Sequence, residues 1–275
     1  MKITLLGTGT SQGVPVIGCD CPVCTSQDPR DDRLRVSALV QTRGRTLVID
    51  TGPDFRQQML RNRVRTLDAV LYTHQHKDHV AGLDDIRPFN FRQRQAMPIY
   101  LDQYTLEQVK QEFNYIFKDQ KYPGIPMIDI HLVEQGPVTV QQIPIQVLEV
   151  MHGKLPIRAY RIADFAYVTD TNYIPEAAMA QLQNLEVLVL DALRHEKHYS
   201  HFTLEESLKV VEQLQPRQTY LTHISHFLGR HAEIDASLPP GVNLAYDQLS
   251  FQVPDPALNL SDAEAEKPSV TPQEP

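Results

Sequence analysis

Thr73-His74-Gln75-His76-Lys77-Asp78-His79 follows a largely apolar run and precedes Val80-Ala81-Gly82-Leu83. A strand that ends into a loop exposes residues two apart on one side, so His74 and His76 can share a cation while Asp78 and His79 turn toward a second. Imidazole nitrogen together with carboxylate oxygen suits Zn, Mn or Fe, and ligand softness alone does not choose among them. The alternative is a polar loop whose histidines only cap and hydrogen-bond. Three histidines and an aspartate within six residues at a strand end weigh against it.

Four ligands from one loop do not complete two sites, so later strand ends decide the matter. Leu148-Glu149-Val150-Met151-His152 puts a histidine after an apolar strand, Tyr167-Val168-Thr169-Asp170 a carboxylate after another, and Tyr220-Leu221-Thr222-His223 repeats the arrangement. Singly, His152 or His223 reads as a loop histidine satisfied by hydrogen bonds. With the first loop they form a coherent set.

Working outward, short apolar or alternating runs at 2–6, 37–42, 46–50, 67–73, 143–150, 157–163, 166–169, 186–190 and 219–221 read as strands. Helical patterns cover 104–113, 175–182 and 203–214, the last opening on a capping box, Thr203-Leu204-Glu205-Glu206. The hairpin-like pair around Gly44 and the many short strands suggest a mixed sandwich and not a parallel doubly wound sheet. One domain is expected over 1–253. Residues 254–275 carry five prolines, few large apolar side chains and a net charge of -4, so a disordered acidic tail is expected there.

The whole 275-residue chain has a net charge of -8, which leaves -4 for residues 1–253. An acidic body argues against extended nucleic acid as a partner, because that affinity comes from clustered Lys and Arg releasing counterions. A small phosphate in a cleft remains compatible. No apolar run approaches the roughly 20 residues a membrane helix needs, so no membrane partner is expected. Met1-Lys2-Ile3-Thr4-Leu5-Leu6-Gly7 reads as a first strand and not as a signal peptide.

All three cysteines lie in Gly18-Cys19-Asp20-Cys21-Pro22-Val23-Cys24, an odd and tight cluster that suits metal binding in a reducing compartment, hence the cytoplasm, better than a disulfide framework. Three thiolates need a fourth ligand to close a tetrahedral structural zinc. His226, three residues after His223, is the candidate; three buried thiols are the alternative.

The ordered set His-x-His-x-Asp-His, then His, Asp and His, resembles the metallo-β-lactamase superfamily. The resemblance spans residues 1–253 and implies an αββα sandwich, an α/β fold, with two divalent metal ions, Zn or Mn. It implies that His74, His76 and His152 bind one ion, Asp78, His79 and His223 the other, and that Asp170 bridges both. Asp50-Thr51-Gly52 matches the family's acidic turn, which gives Asp50 the role of orienting a ligand histidine; a turn-capping aspartate is the alternative. The opening Gly7-Thr8-Gly9-Thr10-Ser11-Gln12-Gly13-Val14-Pro15, with the cysteine triplet, is similar to the cyclic-phosphate phosphodiesterases of phosphonate breakdown.

Two bridged metals would hold a hydroxide of depressed pKa and clamp the attacking and leaving oxygens of an in-line displacement, with Asp78 and His201 as the residues closest to the chemistry. His201 matches the family's phosphodiesterase histidine and is preferred over His195 and His198 as proton donor to the leaving group. Lys154 and Arg87 are candidates to neutralise a phosphate. A small-molecule phosphodiester is the expected substrate, and a homodimer is left open. The rival within the superfamily is a tRNA 3′-processing endonuclease, which grips tRNA with a basic, Gly-rich arm. Residues 101–135 carry Lys110, Lys118 and Lys121 against six acids and do not supply one. A β-lactamase or glyoxalase-type thioesterase leaves the cysteines and His201 unexplained. Of the non-catalytic or redox metal-binding alternatives, the flavo-diiron relatives place a glutamate where His76 stands and append a flavin domain, and a non-catalytic scaffold would be expected to have lost a ligand, whereas all seven are present.

Overall fold

The computed structural model describes residues 1–118 and 123–255. Two seven-stranded mixed sheets pack face to face. The first holds β1 (Lys2–Gly7), β2 (Ser37–Thr42), β3 (Arg45–Ile49), β4 (Ala69–Leu71), β5 (Met97–Leu101) and β6 (Ile128–Leu132), with β14 (Ser250–Gln252) returning to pair with β1. The second holds β7 (Gly136–Val140), β8 (Ile143–His152), β9 (Leu155–Ile162), β10 (Phe165–Val168), β11 (Val187–Asp191), β12 (Gln218–Thr222) and β13 (Val242–Leu244). Each sheet begins with antiparallel neighbours and continues with parallel ones, β3 through β6 in the first and β10 through β13 in the second. Parallel neighbours need crossovers, and helices supply them on the outer faces.

Three apolar clusters follow from this layering. Ile3, Leu5, Leu47, Leu71, Val147, Tyr160 and Val189 fill the space between the sheets. On the outer face of the first sheet, Val48, Val70 and Ile99 meet Phe55 and Met59 of α1 (Phe55–Arg61), Val80 of α2 (Lys77–Val80), Phe89 of α3 (Arg87–Gln93), Leu106 and Val109 of α4 (Gln103–Glu112) and Ile116 of α5 (Asn114–Phe117). On the second sheet, Val168, Leu188 and Leu221 meet Ala178 of α6 (Glu176–Gln181), Leu204 and Leu214 of α7 (Leu204–Leu214) and Ile234 of α8 (His231–Asp235). Side chains alternate across a strand, so a strand buried on both faces reads as one apolar run. β10 and β11 are buried at every position.

The expected capping box is formed: Thr203 Oγ1 accepts from Glu206 N at 3.1 Å and Glu206 Oε2 accepts from Thr203 N at 3.0 Å. The strand expected over 67–73 contracts to β4, because Leu67 N and its carbonyl are bound by the Gln93 side chain instead of a neighbouring strand. Five strands, β5, β6, β7, β13 and β14, lie outside the expected set. Of the tail expected from 254, Asp255 is described: it is buried and accepts from Thr42 Oγ1 at 2.8 Å and from Arg43 Nη2 at 2.8 Å. Residues 256–275 of that expected tail lie outside the described residues.

Candidate metal centre

All parallel strands send their C-terminal ends to one edge of the sandwich. There the chain carries Asp50 after β3, His74 after β4, Asp170 after β10, Asp191 at the end of β11 and His223 after β12. β8 runs the same way as β10 and ends on His152. The sequence-level rule of ligands at strand ends is thus a consequence of topology.

Two groups of donors form. His74 Nε2 lies 3.0 Å from His76 Nδ1, and the His152 ring stands 5.4 and 5.1 Å from those two rings. His152 Nδ1 donates to the Ser200 carbonyl at 2.9 Å, which leaves Nε2 with a free lone pair. In the second group, Asp170 Oδ1 is 3.1 Å from His223 Nε2 and its Oδ2 is 3.3 Å from His79 Nε2. Asp78 Oδ2 stands 3.4 Å from His79 Nε2 and 3.7 Å from His223 Nε2. Asp170 also lies with His152 and His201 in a third cluster whose donor atoms are within 4.8 Å of one another. It is therefore the carboxylate between the two groups.

The surroundings hold these side chains in place. Asp50 is fully buried; it accepts from Thr73 N at 2.8 Å and Thr73 Oγ1 at 2.9 Å, and His79 Nδ1 donates to it at 2.8 Å. Tyr72 and Thr51 hydroxyls meet at 2.6 Å beneath the same turn. A Cβ at Gly52 would overlap the Asp78 carbonyl oxygen, so only glycine lets the acidic turn approach the histidine loop this closely. Asp50, Asp170 and His223 adopt φ of 64°, 56° and 57°. A left-handed backbone at non-glycine residues is uncommon, and strain of this kind collects at sites the fold over-determines.

The electrostatics call for positive charge. Burial holds the imidazoles of His74, His76 and His152 below their ordinary pKa, in the neutral form that ligates metals. Burial also opposes charge on His223 and His79, but Asp170 and its neighbouring carboxylates outweigh it, pushing His223 up to about 10 and His79 well above its usual range. Burial likewise opposes the carboxylate forms of Asp78 and Asp170, yet His79 and His223 hold both below the usual range. His79 Nε2 and His223 Nε2 are buried and make no hydrogen bond among the described residues. Orphaned imidazole nitrogens aimed at carboxylates fit a divalent cation at each group, which would take the place of the protons.

Of the other expected residues, His201 is buried, its Nδ1 3.3 Å from Asp191 Oδ2, its ring stacked 4.6 Å from that of His223 and 4.7 Å from that of His152. His198 stands 5.1 Å from His201, whereas His195 is exposed and paired with Glu205. Lys154 is exposed at the turn between β8 and β9, two residues from His152. The Arg87 guanidinium pairs with Asp84 and donates to the Asp84 and Gly124 carbonyls at 3.0 and 3.3 Å. Asp191 escapes the sequence reading, although it ends an apolar strand as Asp170 follows one. It faces both His201 and His223, the latter Nδ1 at 3.6 Å.

The cysteine loop closes on His226. Its Nδ1 lies 3.3, 3.4 and 3.4 Å from Sγ of Cys19, Cys21 and Cys24. Ligands of a tetrahedral zinc with usual Zn–S and Zn–N bonds are about 3.5 Å apart, so the four donors fit that ion.

The chain belongs to the beta-lactamase superfamily: residues 45–224 match the family described as "Beta-lactamase superfamily domain", and the molecule has the metallo-β-lactamase fold. It is similar to a protein described as a new diphosphatase from the PhnP family, with 42% identity and a TM-score of 0.87 over 92% of this chain and 98% of that one. An octanoyltransferase of Porphyromonas gingivalis is 38% identical over 267 residues, 96% of this chain, but the chain spans only 54% of that protein's length. A ribonuclease Z of Clostridium kluyveri is 29% identical over 142 residues, 50% of this chain and 46% of that one. Among the described residues no helix is long and apolar enough to cross a membrane.

Proposed function

We propose that this chain is a metal-dependent phosphodiesterase acting on small or cyclic phosphodiesters. His74, His76 and His152 hold one divalent ion, Asp78, His79 and His223 a second, Asp170 both, and Zn or Mn suits these donors. Cys19, Cys21, Cys24 and His226 hold a separate structural zinc. Bound there, the catalytic pair supplies Lewis acidity to the phosphoryl oxygens and lowers the pKa of water.

The observation that carries this reading is the placement of His201. It belongs to neither set of three ligand histidines and aspartates, yet it is packed against His152 on one side and His223 on the other. Asp191 holds its Nδ1 edge, so Nε2 is the edge from which a proton passes to the leaving oxygen. An alkoxide leaving from phosphorus needs that proton. The name of the diphosphatase relative adds phosphoanhydrides to the substrates worth testing. The acidic body favours small substrates over an extended nucleic acid.

The test is to measure bound metals in the purified protein and assay phosphodiesters, cyclic phosphates, a diphosphate, phosphomonoesters, thioesters and a β-lactam side by side. Turnover of diesters with a cyclic phosphate better than bis(p-nitrophenyl) phosphate is expected. Strong β-lactam turnover without diester cleavage overturns the proposal.

A further inference from the structure

α1 and α3 line a surface groove of about 540 Å3 on the outer side of the first sheet, and none of its lining residues belongs to the metal centre or the cysteine loop. The floor is apolar: Met59 and Phe89 are buried, and the Phe89 ring stands 6.3 Å from that of Phe55. Leu60 in the same lining is 62% exposed. Gln93 accepts from Leu67 N at 2.8 Å and donates to the Leu67 carbonyl at 2.9 Å, which ties the segment after α1 to the end of α3. Val64 and Arg65 of that segment complete the lining, so the groove is formed before anything occupies it.

Charge sets this groove apart from the rest of the surface. Arg56, Arg63, Arg65 and Arg92 line it and are exposed, and their guanidiniums make no hydrogen bond or ion pair among the described residues. Asp85 is the acid in the same lining, which leaves a local charge of +3 on a body whose residues 1–253 carry -4. Elsewhere the chain pairs its arginines with acids, Arg30 with Asp28, Arg35 with Asp54, Arg43 with Asp255 and Arg158 with Asp102. Unpaired like charges held together repel one another, and an anionic occupant relieves that repulsion. The same four charges laid against themselves across a two-fold axis would add to it. A nucleic-acid backbone would answer the arginines but would set phosphates and sugars on Met59, Leu60 and Phe89. An acidic protein segment answers both: the acidic body repels it from other faces, and its apolar side chains fill the floor. Arg56, Met59, Leu60 and Arg63 are spaced i, i+3, i+4 and i+7, so the α1 side of the trough alternates cation and apolar contact along one face, the spacing a docked helix would present in complement.

We infer that the groove between α1 and α3 docks an acidic amphipathic helix of a partner protein, with the apolar stripe of that helix on Met59, Leu60 and Phe89 and its carboxylates on Arg56, Arg63, Arg65 and Arg92. Guanidinium forks suit carboxylates in paired hydrogen bonds, and the apolar floor supplies the part of the affinity that salt does not screen. Docking here does not depend on the reaction at the metal centre.

The test titrates a fluorescein-labelled synthetic helix, with leucines along one face and glutamates on its flanks, with the full chain and reads fluorescence anisotropy. A Kd of about 100 µM or tighter at low salt is expected, weakening about tenfold as salt screens the exposed charges. The double variant Arg56→Ala, Arg92→Ala and the single variants Arg63→Gly and Leu60→Ser are each expected to weaken binding about fivefold or more. Arg63 stands at φ 51° just past the end of α1, where glycine is the usual residue, so Arg63→Gly is expected to melt no lower than the wild type and its loss of binding is not a loss of fold. Absence of binding in the wild type, or unchanged binding in the arginine variants, overturns the inference. A control peptide with serine in place of leucine that binds as tightly also overturns it, since the apolar floor would then have no part. Tighter binding of an oligothymidylate of equal length overturns it in favour of nucleic acid. A wild-type dimer in sedimentation that Arg63→Gly dissociates overturns it in favour of a contact between copies of this chain.

Discussion

His201 Nδ1 lies 3.3 Å from Asp191 Oδ2, at the end of a strand whose five residues are all buried. The carboxylate therefore acts on the chemistry through the rings it faces, His201 and, at 3.6 Å, His223. His201→Ala is expected to slow alkyl or ribosyl diesters roughly a hundredfold or more, in line with general acid catalysis, and p-nitrophenyl esters much less, since their leaving group needs little protonation. Asp191→Asn should reproduce the same substrate pattern at roughly a tenth of the severity. Equal losses on both substrate types would indicate that His201 binds substrate and does not protonate it.

Asp170 lies between the two donor groups, with one oxygen toward His223 and the other toward His79. Asp170→Ala should abolish turnover and lower the bound metal in the His/Asp cluster, read by elemental analysis against the wild type. Normal activity in this variant would show that the carboxylate does not bridge.

His226 closes the cysteine loop over some two hundred residues of chain, and the entropic benefit of such a closure grows with the logarithm of loop length. Cys21→Ser or His226→Ala is expected to remove about one zinc per chain and lower the melting temperature by roughly 5–10 °C. Activity should fall in part, through displacement of His223. A His226→Ala protein with full metal content and an unchanged melting temperature would rule out its role as fourth ligand.

His231 Nδ1 accepts from the buried Arg33 guanidinium at 3.1 Å. Burial first, then Arg33, pushes its pKa down to about 4 from 6.5. Between those values the unfolded chain binds the proton and the folded chain does not, so stability is lost as pH falls from about 6.5 toward 4. Asp247, raised to about 6 by burial, acts in the opposite direction below that pH and does so equally in wild type and variant. His231→Gln keeps an acceptor for Arg33. Urea denaturation at pH 7.5 and 4.5 should show it losing on the order of 2 kcal/mol less than the wild type over that interval. Parallel losses would place the acid sensitivity elsewhere.

The αββα layering was legible because fully buried strands such as β10 and β11 leave uninterrupted apolar runs, and because α7 carries its own start signal in Thr203 and Glu206. Strands β6 and β7 were not: they are half-exposed edge elements without an uninterrupted apolar run, β6 paired with β5 across an intervening crossover and β7 with β8 in a hairpin. The convergence of His74, His152, Asp170 and His223 could be anticipated from strand ends. Arg87 could not be placed, since nothing local announces that Asp84 and the Gly124 carbonyl will engage it. The left-handed backbone of Asp50, Asp170 and His223 leaves no trace in composition, because aspartate and histidine there are specified by the site and not by the turn.

His223 and His226 occupy one short stretch after β12, so in the proposed metalloenzyme a chelator would have two routes to the same loss of activity. It can withdraw the ions at the His/Asp cluster, or it can open the thiolate site and let His223 drift. Inhibition by a chelator consequently does not identify the ion that matters, and the order of reconstitution becomes informative. Restoring zinc to the cysteine loop first, with the released thiols monitored by a colorimetric reagent, and only then offering Mn or Zn to the remaining donors, separates scaffold repair from recovery of turnover.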